Sequence, residues 1–308
     1  MGPRVIFGDG EMIEANVKQL LPPKTLTRRL FVSGAAALTG AVASETLLPT
    51  PAWAPGVRVD LRAFPDPTNS SNIVNYITSV KDQSGCNSCT AFAVVAMIEG
   101  TYNVKYNQSA GDQGLNLSEG QLFFAAGPKD KCSTTHWWPA DALAYCAQVG
   151  LVREDDGKFV PSTTPLTIAT ATKLSRPSLK ATQTAMKNWI SSTGPVVAVM
   201  AEYSDFYGFN QGNTPYYPGV AAPTDFWFVG GHVVCIVGYD DNNNYWICKN
   251  SWGKTFNPNA TYSTPTNPPV QRASPGYVNI AYGGTAPSTA MADCMIDSID
   301  VWGVAFPT

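Results

Sequence analysis

The stretch Lys81-Asp82-Gln83-Ser84-Gly85-Cys86-Asn87-Ser88-Cys89 carries a thiol to the end of a Gly/Asn/Ser turn, immediately before the apolar run Thr90 to Gly100. That pattern predicts a helix that opens at Cys89 and stops near Gly100. At the first turn the positive end of the helix dipole favours thiolate over thiol, which is the state a nucleophilic sulfur needs. The Cys86-x-x-Cys89 pair also admits a zinc half-site, a redox dithiol or two buried thiols. Zinc would require two more ligands, and the chain has only His136 and His232 and no second Cys-x-x-Cys. A redox dithiol would follow a strand in a βαβ pattern, which Ser84-Gly85 does not suggest.

A nucleophilic thiol needs a base. His232 stands in Gly230-Gly231-His232-Val233-Val234-Cys235-Ile236-Val237-Gly238, and Asn250 follows it by eighteen residues in Trp246-Ile247-Cys248-Lys249-Asn250-Ser251-Trp252-Gly253. Both flanks read as strands, and Asp240 to Asn244 between them is turn chemistry, so the two segments are expected to form a hairpin. Setting His232 opposite Asn250 puts both side chains on one face. The same register sends Cys235 and Cys248 to opposite faces, so they are expected not to be bonded to each other.

Taken together, the Gln83 to Cys89 turn, the Gly-His followed by an apolar strand, and Asn250-Ser251-Trp252-Gly253 resemble the signatures of papain-like cysteine peptidases. The resemblance extends over about residues 59–283, with strong motifs at both ends. It implies that Cys89 attacks the scissile carbonyl, that His232 forms an ion pair with it and protonates the leaving amine, and that Asn250 orients the imidazole. It implies further that Gln83 and the Cys89 backbone amide stabilise the oxyanion, a contribution of roughly 3–4 kcal/mol per donor. Trp252 would shield the His232–Asn250 bond, and Cys86 would be a half-cystine whose partner is Cys132. Trp138-Pro139 resembles the aromatic-Pro wall of a substrate pocket, which Val197, Val199, Gly231 and Trp252 would complete as an apolar site. The chain departs from the family pattern at Asn87, at Thr90, where the family has Trp, and at His136-Trp137, where it has Gly-Gly. An acyltransferase or transglutaminase-like enzyme with the same Cys-His-Asn chemistry, and a catalytically silent binding module on the same fold, are the rival readings.

The elements that must position these groups fall into two sets. Leu117-Ser118-Glu119-Gly120-Gln121 has capping-box spacing, and Ala140 to Val149 repeats a helical pattern. From Gly194 to Met200 onward strands dominate, with Gly276 to Ile280 as another, while Pro55–Ser71 and Asn257–Pro275 read as loops. The expected fold is therefore α+β and two-lobed: a helical lobe over about 55–175 and a β-barrel-like lobe over 176–308, with the site in the cleft between them.

Composition limits the function classes. Only 14% of residues are charged and the net charge is −3, which supplies no basic field for nucleic acid. Seven cysteines are too few for a disulfide scaffold and odd in number, so at least one thiol lacks an intramolecular partner. No cofactor or metal is implied, and the expected partners are peptide or protein substrates of a monomer. Residues 1–54 read as an export signal and linker. Thr27-Arg28-Arg29-Leu30-Phe31 precedes a mildly apolar run to Ala43, resembling a twin-arginine signal with a small-x-small cleavage site before Ser44. Ala52-Trp53-Ala54 is a second such triplet. The run falls short of the roughly 20 apolar residues of a membrane span, so a periplasmic or extracellular protein without stable membrane insertion or a long folded pro-segment is expected.

Overall fold

The computed structural model describes residues 58–110, 115–128, 132, 137–155, 158–159, 164–221, 225–285 and 292–306, together with a short strand pair, β1 (Val5–Ile6) and β2 (Met12–Ile13). The twin-arginine motif and both cleavage triplets lie outside the described residues. Among those described, no helix is long and apolar enough to cross a membrane.

The chain enters through β3 (Arg58–Asp60) and the hairpin of β4 (Phe64–Asp66) and β5 (Asn69–Val74), so the Pro55–Ser71 region read as loop contains short strands. Three helices follow: α1 (Cys89–Tyr106), α2 (Glu119–Ala126) and α3 (Pro139–Gln148). Next come the paired strands β6 (Glu154–Asp155) and β7 (Lys158–Phe159), then β8 (Thr170–Lys173) and helix α4 (Leu179–Ser192). The remainder holds β9 (Val196–Tyr203), β10 (Phe228–Asp240), β11 (Tyr245–Lys249), the hairpin of β12 (Thr261–Ser263) and β13 (Gln271–Ala273), β14 (Tyr277–Ala281) and β15 (Asp300–Ala305). Seven strands make one antiparallel sheet in the order β14-β11-β10-β9-β15-β8, with β3 joined to β10. The architecture is the expected α+β one. Its β side nevertheless recruits β3 and β8 from the 55–175 stretch expected to form the helical lobe, and α4 interrupts the stretch expected to be strands.

α1 is buried on nearly every side, which suits a run of Ala, Val, Met and Ile that is apolar all round rather than striped. It does not stop at Gly100. It continues to Tyr106, where Asn107 caps it in the left-handed conformation at φ 49°. Gly100 is needed for proximity: a Cβ there would lie 2.5 Å from the Pro195 ring and 3.2 Å from Ile77. At α2 the Ser118 hydroxyl accepts from the Gln121 amide at 3.1 Å, as capping-box spacing predicts. The reciprocal half is not made, because the Gln121 side chain instead accepts from the Val152 amide at 2.8 Å.

The hairpin of β10 and β11 is present, but its register differs from the one expected. Cys235 pairs with Lys249 and Ile236 with Cys248, after which Val237 bulges and Gly238 pairs with Ile247. On the site side of the bulge the shift from the expected pairing is two residues, an even number, so side-chain faces are preserved there. Cys235 and Cys248 are both free, as are Cys89, Cys146 and Cys294.

A chain of buried polar groups joins the sheet to the helices. The Lys249 ammonium on β11 donates to the Thr78 hydroxyl at 3.0 Å, and that hydroxyl donates to Glu99 of α1 at 2.6 Å. Glu99 also accepts from the Leu117 amide at 2.7 Å, and Lys81 reaches it at 3.9 Å while bonding Glu119 of α2 at 2.7 Å. Burial depresses the Lys249 pKa, with Glu99 opposing that shift. Removing one member strands the others in a dry interior. Glu99→Gln is therefore expected to cost about 3–5 kcal/mol in urea unfolding, and adding Lys249→Met should recover most of it. Gly100→Val should cost about 1–3 kcal/mol through overpacking against Pro195, whereas Gly208→Ala, with open space around it, should leave the urea midpoint nearly unchanged.

Candidate active site

Cys89 is the first residue of α1. Its N-cap, Ser88, makes no side-chain capping bond, and no acidic residue stands in the first turn, so the helix dipole reaches the thiol unopposed by local charge. The turn before it is tightly organised. The Ser84 amide donates to Asp82 at 2.7 Å with Ser84 in the left-handed region at φ 52°, and the Ser88 amide donates to the Cys86 carbonyl at 2.7 Å. Cys86 is disulfide-bonded to Cys132, which ties this turn to the segment leading into α3.

The imidazole comes from the sheet. β9 pairs with β10 from Phe228 to Ile236, on one edge only, because the ladder to β11 on the other edge ends at Cys235–Lys249. His232 and Val233 lie in the stretch whose second edge carries no strand. The Val233 backbone there acts on the Cys89 thiol and lowers its pKa, which puts the nucleophile candidate beside the residue adjoining His232.

His232 is almost fully buried, and its Nε2 lies 2.8 Å from Asn250 Oδ1. An amide oxygen only accepts, so Nε2 carries the proton and Nδ1 is left as the basic nitrogen. Asn250 is not the rung partner of His232. It reaches the ring from beyond the end of the ladder, with its backbone amide donating to Gly276 at 3.1 Å. Carrying the observed register onward would set Trp252 across from His232, and the indole does lie on the imidazole, at 4.9 Å between ring centroids. Phe206 adds an aromatic neighbour at 6.0 Å from the imidazole, and Tyr207 stacks on the outer face of Trp252 at 5.3 Å.

This dry setting governs both charges. Burial pushes the Cys89 thiol up to about 11, with the nearby Glu202 carboxyl adding to the rise and the Val233 and Thr90 hydrogen bonds opposing it. Burial pushes His232 down to about 4 against the Asn250 bond. Neither ion is favoured alone. If a proton moves from sulfur to Nδ1, each ion supplies the counter-charge that the other lacks.

Gln83 is clamped between the two halves of the site. Its backbone amide donates to the Ser251 carbonyl at 2.7 Å, its side-chain oxygen accepts from the Ser251 hydroxyl at 2.5 Å, and its side-chain nitrogen donates to the Cys86 carbonyl at 2.8 Å. An amide nitrogen has two hydrogens, so one remains to meet a ligand. The clamp by Ser251 was not expected from sequence, although Ser251 stands inside the Asn-Ser-Trp-Gly motif. Thr90 is also explained locally: its hydroxyl donates to the Trp137 carbonyl at 2.5 Å, fastening the first turn of α1 to the loop before α3.

The residues expected to form a substrate wall separate on the structure. Trp138, the N-cap of α3, Gly231 and Trp252 are partly exposed near the site. Pro139 is buried at the first position of α3. Val197 and Val199 pair with Cys235 and Val233, on the face of β9 opposite to Met200 and its rung partner His232. Val197 is wholly buried, so the structure does not bring it to an open cleft, and Val199 is 4% exposed. The alternating pattern reveals a strand but not that a second layer covers this face. His136 lies outside the described residues. Among the described residues, no cluster of three or more His, Cys, Asp or Glu side chains could hold a metal ion.

Comparison with known proteins places this geometry in a family. The chain is 31% identical over 185 residues to the viral cathepsin of Cydia pomonella granulosis virus, covering 58% of this chain and 50% of that protein. It is 28% identical over 213 residues to cysteine proteinase B of Leishmania mexicana, covering 64% and 43%. The chain thus spans about half the length of the curated relatives it matches. Among solved structures, the Carica candamarcensis cysteine protease CMS1MS2 in complex with E-64 superposes with a TM-score of 0.53 at 22% identity, covering 85% of this chain and all of that one. Digestive procathepsin L 3 of Tenebrio molitor gives 0.55 at 21% identity, covering 83% and 72%. These likenesses establish the two-lobed fold. The family described as papain family cysteine protease matches residues 64–267, two thirds of the sequence, and the chain belongs to that family.

Proposed function

We propose that the protein is a cysteine endopeptidase in which Cys89 is the nucleophile, His232 the general acid and base, Asn250 the imidazole orienter, and Gln83 with the Cys89 amide the oxyanion donors. The observation that carries this reading is the 2.8 Å bond from His232 Nε2 to Asn250, with Cys89 at the head of α1 and the Val233 backbone acting on its thiol. These contacts leave Nδ1 as the nitrogen available to the thiol proton.

In the resulting cycle the Cys89 thiolate adds to the scissile carbonyl carbon, and the carbonyl electron pair moves to oxygen, where the free Gln83 hydrogen and the Cys89 backbone N–H receive it. The imidazolium gives its proton to the leaving nitrogen as the carbon–nitrogen bond breaks, and an acyl thioester remains on Cys89. Water then attacks the thioester, with Nδ1 taking its proton, and the carbon–sulfur bond breaks to release the acid and restore the pair. Trp252 and Phe206 keep water from competing for the Nε2 hydrogen bond.

The same proposal includes export through the twin-arginine-type motif at Arg28-Arg29, with cleavage before Ser44. An oxidising destination would allow the Cys86–Cys132 bridge to persist.

E-64 is expected to label the wild type once, at Cys89, and Cys89→Ala should abolish both labelling and peptide cleavage as read by mass spectrometry. Folded wild type that takes up no inhibitor and cuts no peptide would refute the reading, and amine incorporation without hydrolysis would favour an acyltransferase. The reactive pair must hold one proton between its two members. Activity should therefore rise with pH through an acid limb near 4, where the doubly protonated pair loses its first proton, and fall only towards about 11. Asn250→Ala should lower kcat by roughly 10- to 100-fold with less effect on KM, because the ring loses its orientation rather than the substrate its contacts.

A further inference from the structure

Glu202 is the one acid in the otherwise uncharged strand β9, and the sequence motifs give it no role. Its rung partner on β10 is Gly230, and its neighbour two residues back, Met200, is the rung partner of His232. Rung partners share a face and alternate residues return to it, so Glu202 lies on the same face of the sheet as the imidazole. Opposite Glu202 that face carries no β10 side chain, because residue 230 is glycine.

The carboxyl is 7% exposed, and its Oε1 is buried without a hydrogen-bond partner. None of the ion pairs among the described residues involves it. The Tyr207 hydroxyl acts on this carboxyl and lowers its pKa, and the Tyr207 ring stacks on Trp252, which in turn covers His232. Glu202 thus stands behind the aromatic wall of the site and within electrostatic reach of the Cys89 sulfur, whose pKa its charge raises. Burial lifts the carboxyl itself to about 7, the position of a buried acid without a counter-ion.

The two sides of the reacting bond are distinguished by the chemistry. Gln83 and the Cys89 amide hold the acyl oxygen, and the proton from His232 goes to the amine. The residue that departs with that amine must therefore extend along the His232 face, towards Trp252, Tyr207 and Glu202. Resting on the peptidase reading, we propose that Glu202 is a specificity-determining residue that selects a lysine or arginine side chain on the residue whose amine is released. Tyr207, 56% exposed, gives way to the arriving ammonium or guanidinium, which supplies the buried carboxylate with its missing counter-charge.

The test is competitive cleavage of matched peptides that differ only at the residue after the cut bond: Lys, Arg, Leu or Glu. The wild type is expected to cut the Lys and Arg peptides with at least roughly tenfold higher kcat/KM than the Leu peptide, and the Glu peptide more slowly still. Glu202→Gln should bring the Lys-to-Leu ratio to within about twofold of unity, and Tyr207→Phe should keep the preference. Each ratio is internal to one protein sample, so a general loss of folded enzyme cancels. A wild type that cuts all four peptides without preference, or a Glu202→Gln variant that keeps the preference, overturns the proposal. So does a variant that changes only the pH profile, which would place the carboxyl's action on the catalytic pair. A wild type that neither cuts peptides nor takes up E-64 removes the peptidase reading and this proposal with it.

Discussion

The ladder between β10 and β11 ends at Cys235–Lys249, and the candidate site occupies the edge left free. A strand continuing past that point would have satisfied the Val233 amide. Instead the Val233 backbone acts on the thiol at the head of α1 and lowers its pKa. An unpaired backbone donor in a buried place needs a partner, so the strand end and the helix end fix one another. Thiol and imidazole, far apart in sequence, become neighbours because of where a single β ladder stops.

Keeping that junction rigid falls to the polar chain from Lys249 through Thr78 to Glu99, with Lys81 and Glu119 behind it. Lys249 immediately precedes Asn250, and Glu99 stands three turns into the helix that starts at Cys89. The groups that lock the sheet to the helix therefore sit one short step from the candidate site. A small cavity between them is lined by Phe92, Ala93, Val233 and Asn250 together with members of the polar chain. The cost of stranding any of these buried charges gives the interface a single preferred arrangement. Gln83 adds a second fastening, since Ser251 holds it through both backbone and side chain.

Dryness serves the chemistry as well as the fold. Desolvation disfavours a lone thiolate and a lone imidazolium alike, so it favours states in which the charges appear as a pair. The departures at Thr90 and Trp137 fit the same economy of contacts. Thr90 replaces an aromatic ring by a hydrogen bond to the Trp137 backbone, and Trp137 packs against Phe123 of α2 at 6.4 Å. The segment before α3 is thereby attached to α1, in addition to the Cys86–Cys132 bridge.

Local chemistry was legible in the sequence wherever the determining residues were neighbours. The turn into Cys89, the Ser118 cap, α3, the hairpin and the face shared by His232 and Asn250 all follow from spacing, and the likeness of three short motifs to a known family extended them to a fold. Gly100 reads as a stop because glycine ends helices, yet here it admits Pro195, ninety-five residues away at the approach to β9. The hairpin register lies two residues from the expected one on the site side, and the Val237 bulge moves it by one more where β10 exchanges β9 for β3 along one edge. Val197 reads as pocket lining until the covering layer is seen, and Glu202 reads as an ordinary charge at a strand end until Gly230 and Tyr207 close around it. The sequence by itself determined which groups are candidates for the chemistry and the periodicity of the elements that hold them. Tertiary structure decided which edges stay open, which faces are covered and which charges lose their water, because those depend on residues brought together only when the chain is folded.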